Sequence, residues 1–267
     1  SGIGEISFIK EKDIPNFKSK LVSIPSNIKD IIKDKSFYDF ESKVKFSQFN
    51  SISDILINKD YIYLSFNRVL KDNCYTKSII RSKIDFNFLK FEDFFYDKTD
   101  CRNTSENKIK YNGHQSGGRM VLIDNDSIHN IFNDNEDKIL FTIGDYRSNR
   151  SNKIPLSHDK NSIFGKTLLI DINTKEHRIF TQGHRNPQGL YYDQSNQIII
   201  STEHGPYGGD EINILSKNKD YGWPTSSYGE NYGYKNNGAS TAYYPEKDFY
   251  FKKDHYSLGY EEPLLAF

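Results

Sequence analysis

Apolar residues in this chain fall in short runs and alternations broken by turn residues, with no helical period of useful length. Residues 4–9 alternate as a strand does. Residues 52–57 and 61–66 flank Asn58-Lys59-Asp60, which is a clear hairpin signal. A second pair is expected over 76–84 and 89–95, and further strands over 120–123 and 138–143. Residues 167–172 and 177–181 flank Asn173-Thr174-Lys175. Residues 189–193 and 198–202 flank Gln194-Ser195-Asn196-Gln197, and 211–215 alternates as a half-buried strand. A strand with irregular ends is expected over 37–46. One short helix is expected near 27–33 in an otherwise polar connection. Residues 225–251 are rich in Tyr, Gly and Asn and read as an ordered loop. Short strands with regularly spaced turns predict an all-β fold: sandwich, barrel or propeller.

Composition supports strands. Hydrophobic residues are only 36%, but aromatics reach 15%, with 19 Tyr and 19 Phe, and aromatic side chains favour pleated, half-buried surfaces. Lys+Arg and Asp+Glu are both 36, so the formal charge is zero. That balance offers nothing for nucleic acid or an anionic membrane. No apolar run in the sequence reaches the length of a membrane-spanning helix.

The densest chemistry lies between Gly183 and Pro224. Arg185 and Asn186 precede Pro187, which pushes the backbone of Asn186 toward the extended region. His204-Gly205-Pro206-Tyr207-Gly208-Gly209-Asp210 must be a loop, whose glycines allow a ligand or ion to come close. Glu203, Asp210 and Glu211 stand beside the loop's carbonyls, a combination that suits a hard cation.

HRNPQGL, TEHGPYGGDEIN and DYGWP, in this order and spacing, resemble the soluble glucose/sorbosone dehydrogenase family, which includes aldose sugar dehydrogenases. Gly113-His114-Gln115-Ser116-Gly117-Gly118-Arg119 is similar to the family's HxGGR motif. Phe141-Thr142-Ile143-Gly144-Asp145 is similar to its strand-end Gly-Asp. The resemblance implies a β-propeller with four-stranded blades, six in the family. At about 40–50 residues per blade, this chain would cover about four. Residues 1–267 would thus form a single propeller domain, incomplete at one or both ends, and 260–267 resemble the family's entry into a following blade.

The resemblance also implies chemistry. A sugar would be oxidised at its anomeric carbon, with hydride passing to pyrroloquinoline quinone. His114 would be the general base, and Asp145 would orient it. Arg185 would supply positive charge to the cofactor or substrate, and Asn186 would hydrogen-bond the quinone. The carbonyls of Gly205 and Pro206 would ligate the calcium that grips the cofactor. Implied partners are a small sugar and an external electron acceptor; a homodimer is compatible, and the compartment would be periplasmic or secreted. A disulfide between Cys74 and Cys101 fits such a compartment, since the strand-like segments between them could return both to one end of a hairpin.

Three features depart from the glucose-oxidising members. Gly113 stands where they carry an Asp. Gln48-Phe49-Asn50-Ser51 stands near the place of their Gln-Asn-Gly. Their late basic residues have no counterpart before Phe267. These leave a second reading open, a non-catalytic propeller of the same lineage that binds a carbohydrate or protein partner.

Overall fold

A computed structural model of the chain describes residues 6–16, 21–32, 52–70, 74–103, 115–123, 137–147, 155–230 and 254–267. The expected strand over 37–46, most of 225–251, and His114 lie outside the described residues. Fifteen strands are described: β1 (Ile6–Phe8), β2 (Val22–Ile24), β3 (Asp54–Asn58), β4 (Tyr61–Val69), β5 (Cys74–Lys83), β6 (Glu92–Tyr96), β7 (Arg102–Asn103), β8 (Gly117–Ile123), β9 (Lys138–Ile143), β10 (Lys166–Asp171), β11 (His177–Gln182), β12 (Pro187–Asp193), β13 (Ile198–Glu203), β14 (Glu211–Ile214) and β15 (Leu265–Ala266). The one described α-helix, α1, is a single turn at Ile28–Ile31.

The strands pair antiparallel in chain order. β3-β4-β5-β6 form one sheet, with β7 added beside the start of β5; β8-β9-β10-β11 form a second, and β12-β13-β14-β15 a third. β1 and β2 make a two-stranded ribbon. Each sheet packs face to face on the next. Tyr63, Ile79, Phe94 and Phe95 of the first sheet meet Ile139, Phe141, Leu168 and Ile170 of the second in one core. Leu140, Leu169 and Phe180, from the other face of the second sheet, meet Ile199 and Leu215 of the third. A further core joins Ile24 and Ile28 to Ile62, Leu64 and Ile80. The mostly apolar make-up of β9 follows from this stacking. Its side chains alternate between two covered faces, so none of the six positions is exposed. Each large side chain so buried is worth about 1.5–3 kcal/mol.

The first strands of the three sheets stand side by side. Asp54, at the start of β3, accepts hydrogen bonds from Met120 N at 2.8 Å and Arg119 Nη1 at 3.2 Å on β8. Arg119 Nε in turn donates to Gln188 O on β12 at 2.6 Å. This succession of four-stranded sheets, first strands inward, is a β-propeller's blade arrangement.

In residues 260–267, β15 pairs on the edge of β14 as the fourth strand of the third sheet, with Leu265 opposite Ile212 and Ala266 opposite Glu211. The edge of β14 carries unsatisfied backbone groups that this short segment covers; Phe267 N, for example, donates to Asp210 O at 3.0 Å. The cysteine expectation holds: Cys74 and Cys101 form a disulfide, which fastens β7 beside β5.

Candidate active site

Every first strand starts at the same end of its sheet, so the segments before β3, β8 and β12 gather there. The turns that follow β9 and β13 return to that end as well. Gly144 ends β9 where no side chain would fit: a Cβ there would lie 2.0 Å from Gln115 O. The glycine therefore lets the 115–118 loop press against the turn that carries Asp145.

Asp145 is fully buried. Its backbone N–H donates to Arg185 O at 2.9 Å, which ties the β9 turn to the β12 entrance. Its Oδ1 accepts from Arg147 N at 2.9 Å and its Oδ2 from Trp223 Nε1 at 2.7 Å. The guanidinium carbon of Arg185 lies 5.3 Å from the centre of the Trp223 ring, within cation–π range. Arg185 Nη1 donates to His204 O at 2.7 Å. Asn186 Oδ1 accepts from Gly117 N at 3.3 Å, which joins the β12 entrance to the loop after His114.

A buried polar layer supports Arg185 from below. His184 has Glu203 Oε1 at 2.9 Å from its Nδ1 and Thr181 Oγ1 at 2.8 Å from its Nε2, and its ring stacks on Tyr221. Glu203 Oε2 accepts from Arg185 N at 2.8 Å. Asn213 Nδ2 donates to Glu203 Oε1 at 3.0 Å and to Glu211 Oε2 at 3.2 Å. Burial alone would raise Glu203, but His184 and the amides of Arg185 and Asn186 hold it below the usual carboxylate range. Glu211 has only the Asn213 amide donating to it. Burial and the neighbouring Glu203 charge push it up to about 8, so it is a neutral acid at pH 7.

These roles correct the sequence-based view of Glu203, Asp210 and Glu211 as carboxylates for a cation. Glu203 and Glu211 belong to the polar layer. Asp210 closes its own loop, accepting from Gly205 N at 2.9 Å. Among the described residues, no group of three or more His, Cys, Asp or Glu side chains could hold a metal. The loop turns back tightly, and a Cβ on Gly205 would lie 2.0 Å from Gly209 O and 2.7 Å from Gly208 O. Any cation here would therefore meet backbone oxygens, which are hard donors suited to calcium. Two carbonyls, of Gly205 and Pro206, would fill part of the six to eight positions calcium takes, at most about a third.

Asp145, Arg185 and Asn186 are therefore linked by hydrogen bonds at one end of the molecule, and Gly205 and Pro206 adjoin them through His204. Of His114 only the following residues are described. Gln115 O accepts from Tyr146 N at 3.0 Å, next to Asp145. Sequence reading did not give Trp223 its place between Asp145 and Arg185, nor His184 its place in the polar layer. Both lie inside the motifs quoted above, so the signal was adjacency to Arg185 and to the closing turn.

Residues 45–252 match the family described as Glucose / Sorbosone dehydrogenase. An aldose sugar dehydrogenase of Escherichia coli is 27% identical over 201 residues, covering 68% of this chain and 48% of that protein. Quinoprotein glucose dehydrogenase B of Acinetobacter calcoaceticus is 31% identical over 125 residues, covering 37% and 26%. An uncharacterised protein of Synechocystis is 50% identical over 54 residues, 20% of this chain and 13% of its own. A glucose dehydrogenase crystal structure superposes with a TM-score of 0.56 at 21% identity, covering 81% of this chain and 58% of that one. The chain spans about half the length, or less, of the curated relatives it matches.

Proposed function

The chain belongs to the glucose/sorbosone dehydrogenase family, and on that premise we propose that it oxidises an aldose at the anomeric carbon with pyrroloquinoline quinone and calcium. The observation that carries the proposal is the junction of Asp145, Arg185, Asn186 and the 115–118 loop at one end of the blades. When bound, the quinone supplies the acceptor for a hydride from the sugar C1–H, and an external acceptor later removes both electrons.

The chain's own residues do the rest. His114 takes the proton of the C1 hydroxyl on an imidazole nitrogen as the hydride leaves, giving the lactone. Asp145 stabilises the resulting imidazolium. Its two oxygens already accept Arg147 N and Trp223 Nε1, but an ionised carboxylate offers about four acceptor sites, so an imidazole N–H can also be received. Arg185, braced by His204 O and the Trp223 face, provides a cation that needs little reorganisation as negative charge grows on the quinone. Asn186 gives its amide oxygen to Gly117 N, so its NH2 group is what it offers a quinone oxygen. The carbonyls of Gly205 and Pro206 would hold calcium, supplying hard oxygen donors. The Cys74–Cys101 disulfide supports an oxidising, extracytoplasmic compartment, and no described helix is long and apolar enough to cross a membrane.

The test uses the protein as the cell makes it, with quinone, calcium, a panel of aldoses and an artificial acceptor dye. The expected result is dye reduction that His114→Ala abolishes while the circular dichroism spectrum is kept. A folded, quinone-loaded wild type that reduces no dye with any aldose would overturn the proposal.

A further inference from the structure

Lys77 lies on β5 of the first sheet and is completely buried at the same end as the candidate site. Its Nζ donates to Ser53 Oγ at 2.6 Å, just before β3, and to Asn67 Oδ1 at 3.1 Å on β4. The longest contact, 3.5 Å, goes to Ser116 Oγ in the loop after His114. Among the described residues, no hydrogen bond of Lys77 goes to a carboxylate. Its side chain also lies along the backbone of Gly118: a Cβ there would come within 2.5 Å of Lys77 Cε and 2.6 Å of Nζ. Asn67 Oδ1 is shared, accepting as well from the Tyr146 hydroxyl at 2.6 Å. Tyr146 follows Asp145 directly.

The turns so reached hold unusual backbone. Gln115, Tyr146 and Arg147 have φ of 58°, 52° and 58°, in the left-handed region that side-chain-bearing residues adopt only at a cost. Tyr146 is bulky and buried, and such conformers persist only where the surroundings over-determine them. Asn67 and Lys77 are that surrounding from the first-sheet side. Burying an ammonium with no hydrogen bond to a carboxylate is unfavourable, and burial lowers Lys77 to about 7 against the opposing pull of the nearby Asp54 charge. A methionine or leucine would pack in such a place at less cost.

We infer that Lys77, with Asn67, is a positioning residue for the reaction: one buried lysine on the first sheet holds both the 115–118 segment that follows His114 and the turn that carries Asp145. Only the kinetic arm of the test rests on the sugar-oxidation reading. In Lys77→Met, amide hydrogen exchange is expected to accelerate about 10-fold or more at 115–118 and at 145–147 together, with the cores between sheets unchanged. In the dye-reduction assay kcat is expected to fall about 10- to 100-fold, as small misplacements of reacting groups do, with KM for the sugar nearly constant. Ser116→Ala cuts one arm alone and removes little volume. It should loosen 115–118 and, through Gln115 O, the Tyr146 amide, while sparing the amides of Asp145 and Arg147, which bond to Arg185 O and Asp145 Oδ1; this keeps the inference testable if Lys77→Met does not fold.

Exchange that rises everywhere, or at neither segment, overturns the inference, as does an unchanged kcat in a variant with loosened segments. If the wild type oxidises no sugar but the exchange pattern is as expected, the clamp stands and the sugar-oxidation reading fails.

Discussion

Two buried lysines set the behaviour of single residues with pH. Lys77 and Lys166 are each lowered to about 7, burial being the main cause for both. Unfolded, they titrate near 10.5. Between pH 7 and 10.5 the unfolded chain therefore binds more protons than the folded one, and stability rises with pH. The limiting slope is about 1.4 kcal/mol per pH unit for each lysine. The stabilisation is fully present above 10.5 and is lost as pH falls through 7. Denaturant titrations from pH 7 to 9 should show this rise, and Lys166→Met should flatten about half of it. Trp223 offers a second prediction at this scale. Trp223→Phe keeps an aromatic face but leaves Asp145 Oδ2 without the indole N–H; the cost should be about 1.5–3 kcal/mol, read from urea midpoints. Neither lysine was legible in the sequence. Lys77 sits in a Thr-Lys-Ser-Ile-Ile run whose alternation allows an exposed position there. Only packing of the second sheet's loop over it makes the site interior.

The strands were far more legible than the residues that hold them together. Turns at Asn58-Lys59-Asp60, Asn173-Thr174-Lys175 and Gln194–Gln197 were readable because polar turn residues interrupt β-branched runs. The backbone agrees: Lys59, Lys175 and Gln197 all take positive φ. β9 matched to the residue, since Ile139-Leu140-Phe141 and Ile143 are β-branched and bulky apolar residues bounded by a polar turn before them and Gly144 after. The pairing of β15 was not legible, because Leu-Leu-Ala carries no register information, and only the open edge of β14 decides where it pairs. The disulfide yields the prediction at this scale. It closes a loop of 27 residues, for which chain entropy gives about 3–4 kcal/mol. Cys74→Ala with Cys101→Ala should lower the unfolding free energy by about that amount and release β7 to faster amide exchange. A variant as stable as the parent would show that β7 pairing alone suffices.

At the scale of the whole molecule, the third sheet has two unlike faces. Ile199 and Leu215 point into a core, while Tyr191, Ile198, Ile214 and Leu265 lie on the other face, each more than a third exposed. Ile200 pairs with both Tyr191 and Ile214, so these side chains form one band across the strands. With a formal net charge of zero, little electrostatic repulsion opposes contact between two such bands. The chain studied by itself should therefore self-associate with rising concentration in light scattering, and Ile214→Lys should suppress this. Undiminished scattering in that variant would place the sticky surface elsewhere.

The parallel run of β3, β8 and β12 also has a practical side. Because their starts carry Asp145's neighbours and Arg185, their finishing turns, around Lys59 and across 194–197, fall at the opposite pole. Those polar hairpin tips are natural grafting points. An affinity tag, a fluorophore or a tether to a solid support placed there would leave the mouth of the assembly facing solution.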